Sequence, residues 1–310
     1  MKFIKAVPMA TGGLSLAFAA LGNLLLPLPC GEILRYICST LSLVILIIFA
    51  LKIILDWPHA KEELKTPVPF SVLPTGTMAI MLLSVYALPY LGIVATGIWY
   101  AAVITHACIM LLFAKRFMIG FKLGTVFPSW FIVGVGIVAA SVTAPAMGAV
   151  AVGQVAFWVG FVLYFAILLL VILRMNKVKI FPEPARKTVA IFTAPMSLLV
   201  VGYFSSFVSQ GYVSPMLVYV MLAIAAASYI YVTVMMVPLL KIKFYPTYAA
   251  FTFPHVISAT AFRLGANFLA GRYGFDILIV IADIAMWIAI AVVLFVFVHY
   301  IKYFRFWMKF

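Results

Sequence analysis

The chain has 310 residues, of which 67% are hydrophobic and 9% charged. Soluble domains are nearer half apolar and a quarter charged, so a mean hydropathy of +1.25 excludes a soluble enzyme and a disordered chain alike. Three cysteines are too few for a disulfide scaffold. The formal charge of +14 sits mostly in short segments between apolar runs, where lysine and arginine set membrane topology, so it does not imply nucleic acid.

Ten apolar runs follow in chain order: about 7–27, 33–55, 70–89, 92–113, 128–146, 149–173, 188–208, 215–240, 246–269 and 275–301. A span needs about 20 apolar residues, and backbone in lipid must satisfy its own hydrogen bonds, so all ten are expected to be helices. The first is read as an uncleaved span. Ala17-Phe18-Ala19 resembles a signal-peptidase site, but Thr11, Gly12 and Gly13 interrupt the run before it. The second, fourth, sixth and eighth gaps carry the charge: Asp56–Lys65, Lys115–Lys122, Arg174–Lys187 and Lys241–Lys243. The other gaps are short and nearly uncharged. Of 21 Lys and Arg, all but Arg35, Arg263 and Arg272 lie at the termini or beside the charged gaps. Positive loops stay inside, which predicts a multi-pass plasma-membrane protein with both termini cytoplasmic. Trp57, Trp99, Tyr245 and the tail Tyr303-Phe304-Arg305-Phe306-Trp307 are expected at the membrane interfaces. The loop Phe181-Pro-Glu-Pro-Ala-Arg-Lys reads as a rigid basic turn against lipid headgroups. Cys30, Cys38 and Cys108 read as unpaired apolar fillers.

A repeat lies over this pattern. Each odd-numbered span has a proline near its cytoplasmic start: Pro8, Pro74, Pro128, Pro195 and Pro254. Their spacings, 66, 54, 67 and 59 residues, are close to a fifth of the chain. The chain is therefore expected to be an all-α membrane protein of five like-oriented helical hairpins, at about 1–65, 66–122, 123–187, 188–243 and 244–310. Proline removes a helix hydrogen bond and kinks the helix. Freed carbonyls are tolerated where they face protein or a water-filled cavity. That predicts an inner ring of kinked odd helices around a central pore and an outer ring of straight even helices. Small residues in the odd spans agree, among them Gly12, Gly13, Ser15, Gly76, Gly134, Gly136, Ser197, Gly202 and Ser258. They suit close helix approach or a narrow lumen equally.

The odd spans read Pro8-Met-Ala-Thr-Gly-Gly, Phe70-Ser-Val-Leu-Pro-Thr-Gly-Thr-Met, Phe127-Pro-Ser-Trp-Phe, Thr193-Ala-Pro-Met-Ser with Gly202-Tyr-Phe-Ser, and Ala250-Phe-Thr-Phe-Pro-His. In this order they resemble the tellurite-resistance/dicarboxylate transporter (TDT) family. That family includes bacterial TehA-like proteins, malate and sulfite transporters of the yeast type, and slow anion channels of plant guard cells. The resemblance covers essentially all ten spans. It implies five antiparallel hairpins around a pore, often as a homotrimer, with a phenylalanine of the ninth helix plugging the pore. On the Ala-Phe-Thr-Phe-Pro motif that residue is Phe253, with Phe251 as the nearest alternative. Plant members carry long phosphorylated termini. About six residues precede the first span here and about nine follow the last, so kinase control through tails is not expected.

Phe253 stands directly before the kink proline of its helix. As a ring across a pore it would gate by excluding water; one of 27 phenylalanines, it also suits a plain core position. Phe131 is a second candidate for the lumen. Thr11, Gly12, Thr75, Gly76, Thr193 and Ser197 stand by the inner prolines, where they offer hydroxyls and backbone dipoles to an ion or simply pack a kink. His255 follows a kink proline and is either a pH-sensitive pore group or a helix–helix hydrogen bonder. His106, in an outer span, reads the second way. Arg263 and Asp283 are the clear intramembrane charges. Their depths differ by a few ångströms across the short outer loop, and Arg263 lies roughly 80° around the helix from Phe253. They are read as an ion pair fastening spans nine and ten, with an anion-attracting charge near the outer mouth as the alternative.

Enzyme motifs are absent from the sequence. It has no HExxH, GxSxG or phosphate-binding loop, and Gly134-Val-Gly136 lies inside a span. No metal-ligand spacing occurs, so neither metal nor cofactor is expected. The first functional expectation is a channel passing small anions such as chloride or nitrate. The second is a proton-coupled carrier for C4-dicarboxylates such as malate, or for sulfite or tellurite, with Arg263 and His255 as its only inner candidates. Five parallel repeats, where many carriers have inverted ones, favour the channel.

Overall fold

The apolar runs become helices, and among the described residues no strand occurs. A computed structural model describes residues 2–178, 182–241 and 243–308; Phe181 and the side chain of Trp307, both assigned to the interface above, lie outside the described residues. In chain order, α1 (Lys2–Ala6) leads into α2 (Thr11–Leu25), which turns into α3 (Gly31–Leu55). The short α4 (Trp57–Glu63) and α5 (Pro67–Val72) precede α6 (Thr75–Leu91), which returns as α7 (Ile93–Phe117). α8 (Trp130–Gly134) and α9 (Val138–Thr143) precede α10 (Val150–Lys177). α11 (Glu183–Arg186) and a tight 3-10 stretch, Lys187–Thr193, run into α12 (Ala194–Ser206), followed by α13 (Pro215–Leu240). A second 3-10 stretch, Pro246–Phe251, opens α14 (Thr252–Tyr273), and α15 (Ile277–Met308) ends the chain.

The five prolines mark discontinuities at helix starts. Pro74 immediately precedes α6, and Pro195 and Pro254 fall in the first turns of α12 and α14, after the 3-10 stretches. Pro8 lies in the turn before α2, and Pro128 just before α8. First-turn N–H groups lack an intrahelical partner anyway, so proline is tolerated there at little cost. The third odd segment breaks again at Gly134-Val135-Gly136, between α8 and α9.

Among the described residues, seven helical stretches are long and apolar enough to cross a membrane, against the ten expected. The other three fall short for separate reasons. α2 is 15 residues long, α8 and α9 are two short pieces, and α14 carries His255, Arg263, Asn267 and Arg272. Contacts nevertheless join the odd segments in a closed cycle: α2 to α6, α6 to α9, α9 to α12, α12 to α14, and α14 back to α2. The long helices lie outside it. α3 packs on α2 and α6, α7 on α6 and α8, α10 on α9 and α12, α13 on α12 and α14, and α15 on α14 and α2. Burial follows the same division. Stretches Pro67–Leu91 and Glu183–Gln210 are 61% and 72% buried, whereas the long even helices are 22–33% buried.

Hydroxyl pairs join neighbouring inner segments. Ser71 donates to Ser129 at 2.6 Å, Ser141 to Ser206 at 3.1 Å, and Ser197 and Ser258 are 2.9 Å apart. Between α2 and α6 glycine does this work. A Cβ on Gly12 would lie 2.6 Å from Thr75 Oγ1, and one on Gly76 would lie 2.7 Å from the Phe49 ring of α3. Trp99 departs from the interfacial expectation. It is fully buried and donates from Nε1 to Thr143 Oγ1 at 2.7 Å, tying α7 to α9. An indole N–H in an apolar setting needs such a partner, and α9 supplies one. Trp57 is exposed, and the three cysteines are free.

The charged gaps gather at one end of the molecule. There Lys52 Nζ reaches Lys5 O at 3.1 Å, Tyr303 reaches Ala6 O at 3.1 Å, Lys187 Nζ reaches Lys243 O at 2.6 Å, and Thr247 reaches Pro184 O at 2.7 Å.

Candidate pore

Inside the cycle of odd segments, near the charged end, lies a cavity of about 250 Å³. All five repeats line it. Pro8, Met9, Gly13 and Leu16 come from the first; Val72, Thr75 and Met78 from the second; Phe131, Ile132 and Val135 from the third; Thr188, Ile191 and Leu198 from the fourth; and Thr247, Ala250, Phe253 and Pro254 from the fifth. Each of the five odd-numbered segments thus contributes to one wall.

The wall is apolar apart from Glu63, Thr75, Thr188 and Thr247. The three threonines already donate their hydroxyl protons: Thr75 to Val72 O at 2.6 Å, Thr188 to Ala185 O at 2.6 Å and Thr247 to Pro184 O at 2.7 Å. They therefore turn lone pairs, and no donor, toward the space. Thr11 and Thr193 differ. Neither lines the cavity, but each is buried, adjoins a lining residue, and has an Oγ1 without a hydrogen-bond partner.

The sequence candidates separate by position. Phe253 and Phe131 line the cavity. The Phe131 ring is held from behind, 5.6 Å from Tyr164 and 5.8 Å from Phe192. Phe253 makes no ring contact with another described aromatic. Phe251 lies outside the lining, fully buried, with its ring 5.7 Å from Tyr248. Gly12 and Gly76 sit between helices as described, and Ser197 faces Ser258 and also bonds Thr193 O at 2.7 Å. His255 is buried away from the lining, with Nδ1 2.6 Å from Phe251 O and its ring 5.6 Å from Tyr229. A carbonyl at that distance takes the Nδ1 proton, which leaves Nε2 as an acceptor, and it has no partner. His106 Nδ1 is 2.8 Å from Thr77 Oγ1 and its Nε2 is 3.3 Å from Val133 O, so it joins α7 to α6 and α8.

The profile of a family described as voltage-dependent anion channel, SLAC1, matches residues 4–301. The chain belongs to this family. No curated protein matches it. Membership over nearly the whole length, with seven apolar membrane-length helices, makes it a multi-pass membrane protein of an anion-channel family. It also bears out the resemblance read from the five odd-span motifs.

Within this SLAC1 member, Arg263 Nη2 pairs with Asp283 Oδ1, linking α14 to α15. Their side chains are 23% and 43% exposed. The pair joins α14 to α15 outside the cavity, and neither residue lines the separate apolar groove formed with α13 by Leu222, Tyr229, Phe262 and Ile281.

Sequence reasoning missed three buried cations and one acid. Lys52, Arg174 and Lys187 each count as topology signals, yet each is at most 1% exposed. Arg174 lies over the Phe127 ring at 5.0 Å and Lys187 over Tyr248 at 3.4 Å, as cations over aromatic faces. Lys52 holds Asp56 Oδ2 at 2.7 Å and Glu63 Oε1 at 3.1 Å, and Asp56 Oδ1 is 2.6 Å from His59 Nδ1. Burial raises the Asp56 carboxyl, but the bonds from Lys52 and His59 outweigh it and hold the group below its usual range. The i, i+4 spacing of Lys52 and Asp56 was the available signal. Nothing local placed Glu63 beside the cavity.

Proposed function

We propose that the ten segments cross the plasma membrane as five like-oriented hairpins with both termini cytoplasmic. On this reading the cavity is the cytoplasmic half of a central pore that passes small anions such as chloride or nitrate. Phe253 closes it. The observation that carries the reading is the apolar wall drawn from all five repeats, with Phe253 in it and no Lys, Arg or His among its described residues. A ring across a narrow apolar space excludes water, and an ion cannot shed its hydration there. With the threonine protons engaged, the wall offers an anion no strong site, which suits rapid exit. The unpartnered hydroxyls of Thr11 and Thr193 each belong to a residue next in sequence to one lining the cavity. A proton-coupled carrier for malate, sulfite or tellurite needs a cation and a titratable group facing its substrate. Neither Arg263 nor His255 lines the cavity, so the channel is favoured.

Assembly as a homotrimer, the number taken from the resemblance, has one support here. A half-exposed carboxylate on a lipid-facing helix is costly, and a neighbouring protomer seated over Asp283 would cover it.

The test is anion current in planar bilayers under a chloride gradient. Wild-type protein should be silent or faint, and Phe253→Ala should carry a large current that does not saturate with anion concentration. A silent Phe253→Ala beside saturable, proton-dependent malate or sulfite uptake into liposomes would overturn the channel reading.

A further inference from the structure

The one charged side chain in the described wall of the cavity is acidic, which is unexpected for an anion path. Glu63 is the last residue of α4, and its side chain is 37% exposed at the charged end. It does not stand there by chance of rotamer. Lys52, fully buried at the end of α3, points its ammonium at Glu63 Oε1, Asp56 Oδ2 and Lys5 O. An ammonium has three protons, and three acceptors take them. Glu63 Oε1 therefore has a fixed anchor, while the rest of the carboxylate faces the mouth. One ammonium shared between two carboxylates also leaves Lys52, Asp56 and Glu63 together with one net negative charge.

We infer that Glu63 is a specificity-determining residue: its carboxylate at the cavity mouth discriminates against multivalent anions. The inference rests on the proposed pore. Its physics is Coulombic. A fixed negative charge lowers the local concentration of a monovalent anion by a Boltzmann factor, and that of a divalent anion by the square of the same factor. About 7 Å away through water, one unit charge gives a factor of roughly three, hence roughly nine for a dianion. Lys52 keeps the carboxylate at the mouth, since without that anchor a glutamate side chain swings into solvent.

The test compares Phe253→Ala with Phe253→Ala/Glu63→Gln in planar bilayers at about 10 mM ionic strength, where the screening length is about 30 Å. Chloride or sulfate is supplied from the side that the charged loops face. With that screening, Glu63→Gln should raise chloride current roughly twofold and sulfate current roughly fivefold. Both gains should shrink when the anion is supplied from the opposite side. Glu63→Asp, which keeps the charge, should conduct within about twofold of the Phe253→Ala parent. Glu63→Ser carries the same prediction as Gln should the latter fail to fold. Equal gains for both anions would make the effect steric and overturn the inference, as would unchanged currents; the pore reading survives either result. No current in any Phe253→Ala background, with either anion, removes the pore and this inference together.

Discussion

The Arg263–Asp283 pair allows the sharpest separation of a fastening role from a conducting one. Replacing Asp283 by leucine leaves a guanidinium with no partner on an apolar helix face. Arginine stays charged in proteins, so it cannot escape by releasing its proton. An unpaired cation at the centre of a membrane helix costs roughly 2.5–3.5 kcal/mol. Arg263→Leu is milder, because a carboxyl can take up a proton, and an unpaired neutral polar group costs about 1–3 kcal/mol. The double variant removes both charges and leaves two apolar side chains between α14 and α15, which should be neutral or stabilising. At about 2 °C per kcal/mol for a chain of this length, Asp283→Leu should lose about 6 °C in thermal unfolding in detergent, Arg263→Leu less, and the double variant nearly nothing. Currents supply the second axis. In a Phe253→Ala background the double variant should conduct as its parent does. If the double variant is as unstable as Asp283→Leu, the pair is not the fastener. If it is stable but loses more than about threefold in current, Arg263 acts on the permeating ion.

Three further outcomes are expected. Asp56 is held below its usual range in the folded protein, so its contribution to stability is present above the ordinary carboxylate pKa and lost as pH falls through the lower folded value; Lys52→Met should move that acid-side loss to higher pH, read from unfolding temperatures against pH. Gly76→Leu forces a side chain into the Phe49 ring and should destabilise by about 1–3 kcal/mol, visible as earlier unfolding, whereas Gly97→Leu, whose position meets open space, should not. Thr193→Val removes a hydroxyl that bonds nothing, so stability should hold within about 1 kcal/mol; a fall in the Phe253→Ala current would place that hydroxyl on the ion path, and an unchanged current would remove it.

How far the sequence reaches can be judged from particular residues. The prolines are legible because a missing N–H acts locally, and each stands at a break or helix start. Span number is less legible, because the inner segments are short or polar for the reason that makes them inner. α2 need not be long when its neighbours cover it, and α14 can carry His255 because protein, not lipid, surrounds that side chain. Hydroxyls were ambiguous in principle. Ser197 and Thr75 look alike in sequence, yet one faces a serine of the next segment and the other the cavity, a difference of helix rotation. Lys52 and Lys187 were read as loop charges because burial of a lysine depends on acceptors far away in sequence, here Lys5 O and Lys243 O. Glu63 was invisible for the same reason.

These placements bear on how a chain with formal charge +14 could pass anions without binding them tightly. The basic side chains cluster at one end, but Lys52, Arg174 and Lys187 are turned into protein, against carboxylates, carbonyls and aromatic faces. On the proposed pore, Arg174 and Lys187 would supply field at the mouth and no proton, whereas Lys52 is outnumbered by its two carboxylates. Field without ligation raises the local concentration of any anion and holds none of them. A carboxylate at the same mouth then subtracts from that field in proportion to the charge of the incoming ion. On the proposed reading, the basic end and Glu63 together favour singly charged anions, and Phe253, in the same apolar wall, decides only whether any ion passes. Selectivity and gating are thereby assigned to different side chains, so Glu63→Gln should change which anions an open pore prefers and leave a closed pore closed.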